Sequence, residues 1–151
     1  MKQKYLLVAP DPNRDQPAPG GQSTAAQSLY EIITGNNDQA DFVDTYQSPL
    51  EPLSFMGRLK RSYSRSKTLQ ALIKANQSYE QVIIFTGCGI SFVEKVVLGR
   101  YAQKKGLPVT MCMRDGGFIL HCENSKLWRF LYRVLLAKFD RHVIQGGAFK
   151  D

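Results

Sequence analysis

The sequence predicts an α/β fold: a Rossmann-like three-layer α/β/α sandwich around a mostly parallel sheet of about five strands, order 2-1-3-4-5. Three observations lead there. Short apolar runs alternate with segments of helical periodicity along the whole chain. The run at 81–86 is continuous and β-branched, as a central parallel strand buried on both faces must be. Right-handed crossovers between such strands then select the strand order.

The first strand is predicted at 5–9, an uninterrupted apolar run. A polar, proline-rich stretch over 10–22 follows without periodicity, and long loops in compact domains are often functional. The first helix is expected over 23–34, stopped by Gly35 and Asn36. Residues 41–46 alternate polar and apolar, as an edge strand does. A second helix is expected over 58–77. After the strand at 81–86, Ser91 and Glu94 have the spacing of a capping box, with Ser91 as cap and Glu94 reaching back. That third helix ends at Lys104, Lys105 and Gly106, cations and a glycine suited to a helix C-terminus. The fourth strand is predicted at 108–113. A fourth helix over 125–138 places Leu127, Phe130, Leu131, Val134 and Leu135 on one stripe. Trp128, Tyr132 and Leu136 form a second stripe beside Arg129 and Arg133, and burial on two sides is the favoured reading. The last strand is predicted at 142–145. The whole is one domain, 1–151.

The bulk composition agrees with a folded domain: 151 residues, 43% hydrophobic and 22% charged. No apolar run reaches the ~18–20 residues that a membrane span needs. The apolar stretch after Met1-Lys2-Gln3-Lys4 is too short for a signal-peptide core, so a cytoplasmic protein is expected. Cys88, Cys112 and Cys122 lack metal-ligand spacing and are read as reduced thiols. The net charge of +7 favours anionic partners without choosing among phosphates, nucleic acid and a membrane face.

Ligands of such sheets bind at the carboxyl ends of strands, near the point where strand order reverses. Three loops lie there in the predicted topology. Gly20, Gly21, Gln22 and Ser23 open the first helix; the glycines admit a diphosphate close to free helix amides, or they simply make a turn. Gly87, Cys88, Gly89, Ile90 and Ser91 begin like a dinucleotide fingerprint, but Phe92 stands at the third glycine position, so a tight turn lining a cleft is preferred. Cys88 lacks the Arg six residues on that a Cys-based phosphatase needs; Glu94 is there. Arg114, Asp115, Gly116, Gly117 and Phe118 have a binding-loop composition: Arg114 suits a phosphate or acceptor hydroxyls, and Asp115 suits a base or an orienting group. The plainer alternative is an Arg–Asp pair closing a turn. His121 and Cys122 are too few for a metal and are expected in a loop. Arg58, Lys60, Arg61, Arg65 and Lys67 make the second helix basic; a solvated face is the usual reading, and anionic lipid or polyphosphate the alternative.

Taken in order, these loops resemble the N-terminal, acceptor-side domain of family-4-type GT-B glycosyltransferases. The resemblance rests on Pro10 through Gly20-Gly21-Gln22-Ser23-Thr24, on Val43-Asp44-Thr45, on Ile83-Ile84-Phe85-Thr86 with Gly89-Ile90-Ser91-Phe92-Val93-Glu94-Lys95, on Pro108-Val109 leading to the loop 114–118, and on Val143-Ile144-Gln145-Gly146. It implies a domain that binds a lipid-linked or polysaccharide acceptor for transfer from a nucleotide-sugar donor. Gly20 and Gly21 would face the donor diphosphate, with Gln22, Ser23, Gly89, Ser91, Gly116 and Gly117 lining the donor-phosphate and acceptor region. Arg114 and Asp115 would stand at the reaction centre. No cofactor and no metal are implied. The family's donor-binding domain carries a spaced pair of glutamates with no counterpart here, so the resemblance implies a missing C-terminal domain or second chain as partner, and no transfer by this chain alone. It also implies peripheral attachment at the inner, anionic face of a membrane.

Two other classes compete. A flavodoxin-like binding or regulatory module shares the fold, but its flavin version needs a short hydroxyl-rich loop after the first strand, and its phosphoacceptor version needs Asp and Lys where Thr86 and Gln145 stand. A nucleic-acid-binding domain is disfavoured, because the cations lie on no single stripe and no recognised motif is present.

Overall fold

Five strands, β1 (Lys4–Ala9), β2 (Gln39–Asp44), β3 (Gln81–Thr86), β4 (Val109–Met113) and β5 (Arg141–Ile144), form one all-parallel sheet in the order β2-β1-β3-β4-β5. Helices α1 (Gly21–Gly35), α2 (Phe55–Ala75), α3 (Ile90–Lys104), α4 (Gly117–Asn124) and α5 (Lys126–Leu136) flank it, as a Rossmann-like three-layer fold requires. The structure is a computed structural model and describes residues 2–14, 20–47, 53–76, 78–114 and 117–144. The chain divides into two compact units, Met1–Gln81 and Val82–Asp151.

In the first unit, β1 and β2 pair in register through Leu7 and Phe42, Val8 and Val43, and Ala9 and Asp44. Leu6, Leu7 and Val8 are fully buried, with Ala26 and Ile33 of α1 and Leu69 and Ile73 of α2. Each large apolar side chain so placed contributes about 1.5–3 kcal/mol relative to exposure. Gly20 caps α1 at a φ of 117°, a conformation that disfavours any side chain. The stop expected at Gly35 and Asn36 is found: the Asn36 amide donates back to the Ile32 carbonyl at 3.1 Å. Ser54 caps α2, its hydroxyl accepting from the Gly57 amide at 3.1 Å. The helix therefore begins before the predicted residue 58. At the other end of β2, Asp41 accepts from the Tyr79 hydroxyl and pairs with Lys4 at 2.9 Å. Burial first, and this bond second, push the Tyr79 phenol well above its ordinary value.

In the second unit β4 is buried along its whole length, pairing with β3 through Thr86 and Met113 and with β5 through Cys112 and Val143. Gly99 of α3 makes room for Phe139: a Cβ there would lie 2.7 Å from the Phe139 ring. Three sequence expectations are corrected in this unit. Ser91 does not cap α3. Gly89 does, at a φ of 67°, and Glu94 pairs with Lys95 at 3.3 Å. The left-handed turn that only glycine takes easily moved the start two residues upstream of the hydroxyl. His121 and Cys122 lie on α4, not in a loop; eight residues are too few for periodicity to reveal. On α5 the expected core stripe is only partly buried: Leu127, Phe130 and Val134 are 65%, 61% and 41% exposed and Leu131 and Leu135 half-buried, whereas Tyr132 is 2% exposed. Tyr132 stacks on Phe118 at 3.9 Å and on Trp128 at 5.4 Å, and meets Phe92 edge-on at 4.8 Å. Packing of Phe118, Phe92 and Trp128 around Tyr132 holds that face inward.

Candidate anion-binding site

The first unit holds a cavity of about 470 Å³ at the carboxyl end of β2, lined by Arg14, Phe42, Val43, Asp44, Tyr46, Arg61, Ser64, Arg65 and Thr68. That volume lies within the roughly 300–1,000 Å³ usual for small-molecule sites. Its walls follow from local rules. β2 delivers Asp44 and, just beyond, Tyr46. Arg61, Ser64, Arg65 and Thr68 recur on α2 at three- and four-residue steps, which stack on one helix face. Arg14 comes from the chain beyond β1.

Asp44 organises this end of the unit. Its Oδ1 accepts from the amides of Asp11 at 3.2 Å and Tyr46 at 2.9 Å, and its Oδ2 takes the Arg14 guanidinium. Arg14 also lies over the Tyr46 ring, 4.3 Å from its centre. From α2, Arg65 donates to the carbonyls of Thr45 at 2.7 Å and Asp44 at 3.3 Å. Arg61 donates to the Tyr46 carbonyl at 3.4 Å. Both are half-buried, so the basic helix is more than a solvated face. Among the described lining residues, three guanidiniums face one carboxylate, an excess of positive charge. The Ser64 and Thr68 hydroxyls add neutral donors, and Phe42 and Tyr46 add ring surface. The arrangement can hold an anion, with both oxygens of Asp44 engaged by the Asp11 and Tyr46 amides and by Arg14.

The residues singled out from sequence fall elsewhere. Gly20 and Gly21 stand at the start of α1, with open space where a Cβ would project; Gln22 and Ser23 are half-buried behind them. In the second unit, Gly89 gives its amide to the Tyr132 hydroxyl at 2.8 Å, and a Cβ there would touch His121 at 3.3 Å. Ser91 is exposed in the first turn of α3. Arg114 follows β4 with its guanidinium 5.9 Å from the centre of the Phe85 ring, and its buried Nε has no hydrogen-bond partner among the described residues. Gly117 begins α4. Asp115 and Gly116 lie outside the described residues, as does Gln145. Burial pushes the Cys112 thiol up to about 11 against the opposing pull of Arg114, and it also raises Cys122. Neither is a ready thiolate nucleophile. Among the described residues, no group of three or more His, Cys, Asp or Glu is placed to hold a metal ion. Among them too, no helix is long and apolar enough to cross a membrane.

The cavity at β2 was not among the sites expected. The signal was present: two arginines and two hydroxyls at helical spacing on one face of α2.

No family model matches the chain, and no curated protein matches it. A solved structure that it resembles is the 2-deoxyribosyltransferase of Bacillus psychrosaccharolyticus, described as a biocatalyst for nucleoside synthesis, at 14% identity and a TM-score of 0.42, covering 75% of this chain and 74% of that one. The expected acceptor-binding role in transfer from a nucleotide-sugar donor is corrected by this finding, because the neighbour is not a transferase of that kind. The likeness is too distant to bring the neighbour's own activity to this chain.

Proposed function

We propose that the chain is a ligand-binding domain whose first unit takes a small phosphate-bearing molecule in the cavity at the end of β2. The observation that carries this reading is the convergence of Arg14, Arg61 and Arg65 on one cavity with, among the described residues, a single carboxylate, Asp44. Guanidinium forks match phosphate oxygens in pairs, and the excess positive charge suits a dianion. Tyr46 and Phe42 offer flat apolar surface for the rest of the molecule. The ties from Arg61 and Arg65 to backbone carbonyls fix both side chains before a ligand arrives, which lowers the entropy lost on binding.

Isothermal titration with pyrophosphate, AMP and adenosine tests the reading. The two anions bind, adenosine does not, and Arg61→Gln weakens anion binding by about tenfold, since one charge-assisted bond is worth roughly 1.5–3 kcal/mol. Equal affinity for AMP and adenosine, or no heat with any anion, ends the proposal. Far-UV circular dichroism of the variant separates lost binding from lost fold.

A further inference from the structure

The outer side of α2 carries a second feature, built from other residues than the cavity. Phe55, Met56, Leu59 and Tyr63 are 70%, 70%, 49% and 64% exposed. At 3.6 residues per turn, Met56 and Tyr63 fall on a flank turned roughly 100° from the buried Leu69 and Ile73, whereas Phe55 and Leu59 lie near the line of Ile73, closer to the helix start. Lys60 and Lys67 share the flank of Met56 and Tyr63 and are exposed, with Lys67 Nζ 5.4 Å from the centre of the Tyr63 ring. Arg58 and Lys74 are exposed along the same helix. Across its 21 residues α2 has no Asp or Glu, so nothing on the helix offsets these cations.

We infer that the outward face of α2 docks on an anionic lipid bilayer, with Phe55, Met56, Leu59 and Tyr63 entering the headgroup boundary and Lys60 and Lys67 meeting acidic headgroups. Large apolar side chains left in water next to cations are the pattern of helices that lie in a membrane interface. A charged surface alone would suit nucleic acid equally well, and unpaired bases stack on aromatic rings; the aliphatic Met56 and Leu59, which neither phosphates nor bases engage in this way, choose the bilayer. Each basic side chain near an anionic surface adds attraction that salt screens. The residues concerned do not line the cavity, so this inference stands or falls apart from the proposed ligand.

The test is co-sedimentation of the full chain with vesicles of phosphatidylcholine alone and of phosphatidylcholine with phosphatidylserine. The chain is expected to sediment with the acidic vesicles and stay in solution with the neutral ones. The triple variant Met56→Ser, Leu59→Ser, Tyr63→Ser, altered at exposed positions, lowers the bound fraction at least about tenfold. Lys60→Gln with Lys67→Gln lowers it and flattens its salt dependence. Equal binding to both vesicle types overturns the inference. So does acidic-vesicle binding that the triple variant leaves unchanged, or capture by duplex DNA in place of vesicles.

Discussion

The Tyr132 hydroxyl accepts the Gly89 amide proton at 2.8 Å, tying α5 to the turn that starts α3. Nδ1 of His121 lies 3.1 Å from the same oxygen, so the phenol proton has an acceptor when the imidazole carries its proton on Nε2. Tyr132→Phe keeps the ring stacking and leaves the Gly89 amide buried without this partner. A loss of about 1–3 kcal/mol is expected. Urea unfolding measures it, and an unchanged midpoint would show that the bond contributes nothing.

Gly99 is closed to side chains. An added methyl would stand 2.7 Å from Phe139 Cε1 and 3.2 Å from Ile84 Cδ1. Gly99→Ala is expected to destabilise by about 1–3 kcal/mol, because overpacking outweighs the gain in helix propensity. The double variant with Phe139→Leu recovers part of that loss in thermal unfolding, and a lack of recovery would place the strain elsewhere.

Among the described residues, Asp44 is the one carboxylate lining the cavity. Asp44→Asn keeps an acceptor for the amides of Asp11 and Tyr46 but removes the negative charge. The Arg14 pair is partly exposed, so stability changes by less than about 1 kcal/mol. Pyrophosphate affinity rises several-fold at low salt and the gain fades as salt is added. Calorimetry at two ionic strengths reads both, and weaker binding at low salt would mean that Asp44 serves the site by holding Arg14.

The Cys112 thiol has a folded value of about 11 against an ordinary 9.0. The folded chain therefore holds this proton more tightly than the unfolded chain does. The stabilising effect is complete below about pH 9 and is lost as pH climbs toward about 11, an effect on the order of 2 kcal/mol or less. Cys112→Ala should flatten the fall in stability across that window in urea titrations at several pH values. An identical slope in both proteins would assign the fall to other groups, such as Tyr79.

Strand order was legible because five apolar runs separated by helices leave few topologies that obey right-handed crossover. The finer elements were hidden by competition between local rules. Ser91 and Glu94 spell a helix cap, but the left-handed φ of Gly89 starts α3 earlier. On α5 two apolar stripes compete, and only the packing of Phe118 and Phe92 against Tyr132 shows which one turns inward. For Arg61 and Arg65 a solvated face is the usual reading and polyphosphate the alternative; the cavity itself was not legible, because its walls come from β2, α2 and the chain beyond β1, which only folding brings together.

Helix α2 shows two chemistries to two directions: Arg61, Ser64, Arg65 and Thr68 toward the cavity, and Met56 and Tyr63 outward. A hydrogen-bonded rod of 21 residues does not twist its flanks independently. Whatever tilts or rolls it on one side alters the other. Thermodynamic reciprocity then sets a strict rule: if occupancy of the cavity changes how firmly the outer flank is held, holding that flank changes the cavity's affinity by the same factor.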